Sequence, residues 1–421
     1  MNNLFSTDKD TERVILVAVD DGHSEFDVES CLDELEELAK TAGAIVVGRM
    51  IQNREAVHKA HYLGKGKMEE LKNYIAMVDA TGIICDDDLS PNQMKNMADM
   101  LDTKIMNRTL LILDIFAQRA QSAEGKLQVE LAQLKYNSSH LVGQYKYLSR
   151  QGGGIGTRGP GETKLETDRR NIGNRIAELN RELKEIRRHR DVMREKRSTS
   201  GLPIVALVGY TNAGKSTLLN TLTGSDILAE DKLFATLDTT TRRKTLNSGM
   251  EYLFTDTVGF IQKLPHGLIN AFRATLEEAS YAHILIHVLD VSNPRREEQM
   301  KVVYQTLDEL KCGDKPVITV YNKTDKEDVE LPLPPDPRAI ATVRISAKYG
   351  KGIDKLTELL EDWLKSQKKC LEIVIPYDKG NLVSLVHGNC EIIESDHREN
   401  GYYFKVFVNE EMENRLKEYT I

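Results

Sequence analysis

The octapeptide GYTNAGKS, running from Gly209 through Gly214 and Lys215 to Ser216, constrains this chain more than any other segment. It matches G-x-x-x-x-G-K-[ST], follows the apolar run PIVALV and precedes STLLNTL, so it demands a strand, a tight loop and a helix in that order. The glycines let backbone N–H groups turn inward around phosphates, and the helix N-terminus adds its partial positive charge. Lys215 then reaches the β- and γ-phosphates, and Ser216 ligates Mg²⁺. Tyr210, Thr211, Asn212, Ala213 and Thr217 complete the expected contacts. Average residue frequencies give a chance match in roughly one per cent of chains this long, and the flanking pattern lowers that further.

Three more motifs follow in order. Asp256-Thr257-Val258-Gly259 ends the run EYLFT. An acidic residue there holds Mg²⁺ through water, and the glycine N–H meets the γ-phosphate. Alone, D-x-x-G is a weak signal. Asn322-Lys323-Thr324-Asp325 ends KPVITVY, and Ser346-Ala347-Lys348 ends the next apolar run. Asp325 can accept from N1–H and N2–H₂ of guanine, donors that adenine lacks, so a buried carboxylate left unpaired rejects ATP. Four motifs, each at a strand end, point to GTP bound with Mg²⁺.

Between the first two motifs lies LFATLDTTTRR. It supplies Phe234, Ala235 and Thr236, with Thr236 the expected switch ligand to Mg²⁺ and Thr239, Thr240 and Thr241 competing for that role; the alternative is a β-rich surface loop. The residue after Gly259 is Phe260, where many GTPases carry a water-orienting glutamine. A phenyl ring cannot orient water, so hydrolysis is slow alone or a partner completes the site. Asn212 has two readings: a K⁺-dependent arrangement, or an asparagine satisfying its own loop. No catalytic side chain is assigned.

Around this site the chain reads as an α/β multidomain protein. Residues 1–112 alternate strand and helix, giving a small parallel α/β N-terminal domain. In 113–199 two apolar seams, Leu127, Leu131, Leu134 and Leu141, then Leu165 to Met193, describe a helical hairpin. Its tip, residues 149–164, holds six glycines and Pro160, which exclude a helix there. Residues 200–367 form a P-loop GTPase domain, and 368–421 a small α+β C-terminal domain. Five scattered cysteines without a C-x-x-C pair argue against a disulfide framework or zinc site. No apolar run approaches the ~20 residues that span a bilayer. The N-terminus lacks a signal-peptide h-region, and the expectation is a cytoplasmic monomer.

With LFATLDTTTR, DTVGF, the loop GGGIGTRGPGETKLETDRR and HYLGKGKMEEL at 61–71, the chain closely resembles the HflX family of ribosome-associated GTPases. The resemblance covers most of the chain. It implies binding to the large (50S) ribosomal subunit, GTP hydrolysis stimulated by that subunit, and splitting of stalled ribosomes. One departure is Thr239, where the family's switch typically reads LDPTTR; without the proline the loop is looser. RNA binding has independent support. Residues 163–198 carry twelve Lys/Arg against seven Asp/Glu in a chain of net charge -8. The plainer reading is a solvated helix face with i,i+4 pairs. Gly64-Lys65-Gly66-Lys67 is either a second phosphate contact or a turn before a helix. Two alternatives compete: a GTPase assisting ribosome assembly or RNA modification, and a binding module whose GTPase is vestigial.

Overall fold

The computed structural model describes residues 11–24, 26–145, 160–198, 202–224, 233–234, 239–246, 249–263, 278–326, 333–367, 369–408 and 410–421. The first sheet has strand order β2-β1-β3-β4, with β1 (Arg13–Asp20), β2 (Ile45–Asn53), β3 (Gly82–Cys85) and β4 (Lys104–Asn107), all parallel. β1 is a continuous apolar run because both its faces are covered. Val14, Leu16 and Ala18 enter one core with α1 (Val28–Thr41) and α4 (Arg108–Arg119). Ile15, Val17 and Val19 enter the other with α2 (Lys65–Val78) and α3 (Pro91–Leu101). Local chemistry sets the helix starts. Asp27 accepts from Ser30 N at 3.0 Å, and Ser90 and Gln93 form a reciprocal capping box.

β4 and α4 are absent from the sequence reading. α4 crosses residue 112 and buries Leu111, Ile112, Leu113, Ile115 and Phe116 in the first core. The change to paired helices therefore falls after Arg119. α5 (Ala123–Tyr145) and α6 (Pro160–Ser198) pack through Leu131, Leu179 and Leu183. Ion pairs from Glu130 to Arg175 and from Glu124 to Arg190 show that they run antiparallel. The expectation that residues 149–164 exclude helix needs correcting at its end. α6 begins at Pro160, because proline at a first helical position loses no hydrogen bond and its φ is already helical. The rest of that segment, residues 149–159, lies outside the described residues.

The second sheet has order β10-β9-β8-β5-β7-β6. β5 (Ile204–Gly209), β7 (Glu251–Asp256), β8 (Ile284–Asp290), β9 (Val317–Asn322) and β10 (Ala339–Arg344) are parallel, and β6 (Thr240–Thr245) runs antiparallel to β7. α7 (Lys215–Thr223) follows β5 directly. A separate antiparallel sheet of order β11-β13-β12 closes the chain, with β11 (Lys369–Ile375), β12 (Glu391–Arg398) and β13 (Gly401–Val408) over their own core. No helix among the described residues is long and apolar enough to cross a membrane.

The two α/β domains meet over a joint core and a buried ionic cluster. Arg108, 2% exposed, opens α4. Its guanidinium donates to Glu34 of α1, to Asp86 Oδ1 at 2.7 Å and across the interface to the Gln262 carbonyl at 3.2 Å. Lys263 Nζ donates to Asp86 Oδ2 at 2.5 Å and Asp87 Oδ1 at 3.2 Å. Burial pushes the Asp86 carboxyl up, but Arg108 and Lys263 outweigh it and hold the group below its ordinary value. For Glu34, burial dominates and raises the carboxyl despite Arg108. Asp86 shares two cations whereas Glu34 shares one, which accounts for the opposite directions.

Removing Arg108 leaves Glu34 buried without its cation and Asp86 with Lys263 alone, a change that costs about 3–5 kcal/mol. We expect Arg108→Met to lower the melting temperature clearly and to speed amide exchange around residues 260–263. Melting and exchange indistinguishable from the parent would show that the interface does not lean on this residue.

Candidate nucleotide-binding site

β5 delivers the first motif. Gly209 has φ +151°, and a Cβ on it would lie 2.3 Å from the Val288 carbonyl oxygen of the neighbouring strand. Gly214 has φ +96°, and a Cβ there would sit 2.3 Å from Asn322 Nδ2. Both positions therefore require glycine, and the loop closes into a cradle of backbone N–H groups above α7. Lys215 opens α7 and folds back into this cradle. Its ammonium donates to the carbonyls of Gly209 at 3.1 Å and Tyr210 at 2.8 Å. Burial pulls it down to about 8, with Asp256 opposing.

Ser216, one residue on, donates its hydroxyl to Asp256 Oδ2 at 2.6 Å. Asp256 is buried at the end of β7. The pair presents hard oxygen donors beside a lysine ammonium, a donor set that suits Mg²⁺ carrying phosphates. Gly259 lies against the loop, and a Cβ on it would come within 2.7 Å of Thr211 Cα and 3.0 Å of Lys215 Nζ. Thr257 and Val258 are buried, the former donating to the Leu207 carbonyl at 2.7 Å. Phe260 bonds the loop on both sides: Thr211 N donates to its carbonyl at 2.8 Å, and its own N–H to that of Gly209 at 3.2 Å. Its ring is 1% exposed, inside the core shared with the N-terminal domain. The ring therefore points into that core and not into the cradle's solvent-facing side.

The second pair of motifs is assembled by Asn322. Its Nδ2 donates to the Ala213 carbonyl at 2.8 Å, and its Oδ1 accepts from Ala347 N at 3.0 Å. One side chain thus ties the phosphate loop to the residues after β10. Ser346 donates its hydroxyl to Asp325 Oδ1 at 2.5 Å, and that bond lowers the Asp325 carboxyl below its ordinary value. Lys323 adopts φ 65° and turns its ammonium onto Asp290 Oδ2 at 2.8 Å. Lys348 is exposed beside the Tyr349 ring, and Thr217 is half-buried on α7.

The structure revises the switch reading. Thr240 and Thr241 lie in β6, with the Thr241 hydroxyl 3.0 Å from that of Thr255. Strand pairing holds them, so neither is poised as a switch ligand here, and Thr239 stands at the strand's start. Ala235 and Thr236 lie outside the described residues. Phe234 is described: it has φ 54° and meets Phe116 of α4 edge-on, with centroids 4.7 Å apart. Asn212 also has φ 59°, a conformation asparagine adopts more readily than most residues, which supplies a local reason for its presence.

Sequence reasoning placed Tyr210 in the loop but missed what its side chain does. The hydroxyl donates to Glu34 of the N-terminal domain and accepts from Gln262 N at 2.8 Å. Asp86, Asp87 and Asp290 were missed entirely, although all lie at or just after the carboxyl end of a parallel strand, where sites in open α/β sheets gather.

Comparison with known proteins agrees with this geometry. Residues 204–323 match the family described as "50S ribosome-binding GTPase", residues 29–117 the "GTP-binding GTPase N-terminal" region, and 119–197 the "GTP-binding GTPase Middle Region". A GTPase HflX of Lacrimispora saccharolytica is 54% identical over 412 residues, 98% of this chain and 97% of its own. One from Caldanaerobacter subterraneus subsp. tengcongensis is 49% identical, covering 98% and 95%, and that of Escherichia coli 41%, covering 84% and 83%. The likeness spans the phosphate loop, the N-terminal domain that packs on it and the helices between, and with it the chain belongs to the HflX family of GTPases.

Proposed function

We propose that this GTPase binds the large ribosomal subunit and uses GTP binding to part stalled or idle 70S ribosomes, with hydrolysis releasing it. The observation that carries the reading is α6. It has 39 residues against 23 in α5, roughly 58 Å of helix at 1.5 Å per residue. Arg175 and Arg190 are used in ion pairs with α5. Arg169, Arg170, Arg181, Lys184, Arg187 and Arg188 are instead exposed, a basic array suited to rRNA phosphates. The glycine-rich tip would reach furthest into the subunit.

At the nucleotide, the backbone of residues 209–216 and Lys215 would hold the phosphates, with Ser216 and Asp256 (through water) as protein partners of Mg²⁺ and Thr236 a further candidate. The metal supplies neutralisation of phosphate charge. Asn322, Asp325, Ser346 and Ala347 would hold guanine. A buried Phe260 leaves the attacking water without a partner in cis, so the ribosome would complete the site.

Three outcomes follow. Asp325→Asn should weaken GTP binding strongly and admit xanthosine triphosphate, because the amide donates where the carboxylate could not; unchanged guanine selectivity would remove Asp325 from the base pocket. Lys215 carries a pH signature. Its ammonium is half deprotonated near pH 8 in the empty protein, and bound phosphates raise it. Binding of GDP at pH 8 should thus take up about half a proton, and affinity should fall as pH rises above 8. Titration calorimetry in two buffers of different ionisation enthalpy measures this, and zero uptake contradicts it.

For the ribosome, 50S subunits should accelerate a slow intrinsic turnover manyfold. Deleting residues 152–159 should leave that intrinsic rate near normal and abolish 70S splitting followed by light scattering. Undiminished splitting would make the loop a linker. A GTPase assisting assembly would bind 50S without splitting 70S particles.

A further inference from the structure

We propose that Asp290 is a positioning residue of the guanine pocket, acting through Lys323. Asp290 ends β8 and is the register partner of Asn322 at the end of β9. The two strand ends are joined again by Val291 N, which donates to the Asn322 carbonyl at 3.1 Å. One oxygen of the Asp290 carboxylate is held locally: Oδ1 accepts from Ser292 N at 3.0 Å and from the Ser292 hydroxyl at 2.6 Å. The other, Oδ2, faces the Lys323 ammonium at 2.8 Å, with the two side chains only 14% and 17% exposed.

Lys323 lies between Asn322, which ties the phosphate loop, and Asp325, which would read the base. A lysine side chain has many rotamers, and ordering it costs conformational entropy. Here its backbone is already left-handed at φ 65° and its far end is anchored by a carboxylate that Ser292 fixes in turn. Both ends of the four-carbon stem are thereby held before any nucleotide arrives. A stem held at both ends would offer a purine ring its methylenes with little further ordering cost. The ion pair is also local to the site: it joins two strand ends that a base would touch, and no other described cation contacts Asp290.

The chemistry separates this role from simple bracing of the fold. If Asp290 acts through Lys323, its loss matters only while Lys323 is a lysine. Asp290→Asn keeps an oxygen for Ser292 and removes the charge that holds the ammonium. Releasing one rotamer-rich side chain that must reorder on binding weakens affinity about three- to tenfold.

The test is a double-mutant cycle on the full chain, with dissociation constants for fluorescently labelled GDP. Asp290→Asn and Lys323→Met should each weaken GDP, and the double variant should bind no more weakly than Lys323→Met alone. Ser292→Ala should weaken GDP less, and lose that effect in the Lys323→Met background; it carries the test if Asp290→Asn does not fold. Parent-like affinity of Asp290→Asn, or losses that multiply in the double variant, would overturn the proposal. It rests on the reading of residues 322–325 as the guanine pocket. Failure of the Asp325→Asn prediction would remove that reading, whereas a multiplicative cycle with Asp325 behaving as expected removes Asp290 alone.

Discussion

The guanidinium of Arg108 is the point on which the two α/β domains agree. It is a charge buried to 2% exposure, which water cannot serve, and no single domain satisfies it. Glu34 and Asp86 come from the N-terminal sheet and its helix; the Gln262 carbonyl comes from the segment after the D-x-x-G motif. Lys263 adds a second cation from the same segment. A buried pair is weak evidence for added stability but strong evidence for geometry, since its partners are few and directional. The segment after Gly259 therefore has one place to lie.

That placement reaches the nucleotide site through three contacts. Tyr210 spans from the phosphate loop to Glu34, Phe234 rests on Phe116 of α4, and Phe260 is sealed into the common core. Here the N-terminal sheet presents the carboxyl ends of its strands, with Asp86 and Asp87 after β3, and the crevice is filled by residues of the neighbouring domain. The same packing explains why Phe260 is no handicap to folding, whatever it does to hydrolysis. A polar side chain at 1% exposure would need a partner that this core does not offer.

Within the chain, local signals were legible where the physics is local. G-x-x-x-x-G-K-S, the motifs at strand ends and the caps Ser90 and Asp27 all depend on neighbours within a few residues. Errors came where pairing with distant chain decided the outcome. Thr240 and Thr241 read as loop but form β6, because β7 offers them an antiparallel edge. LysIleMetAsn at 104–107 is too short to announce itself and becomes β4 only against β3. Pro160 read as a breaker and instead opens α6.

The sequence by itself determined the phosphate-loop motif, the Asn-Lys-x-Asp signature at the end of β9 and the alternation of strands and helices. Each is written in residue type and spacing, which a linear chain displays openly. Tertiary structure alone decided the partners of Arg108, Tyr210, Lys263 and Asp290. Arg108 and Glu34 lie 74 residues apart, and Tyr210 and Glu34 are separated by 176. A charge in the sequence carries no record of whether it will be buried. Only the docking of one sheet on another removes the water and makes each of these side chains depend on a particular partner.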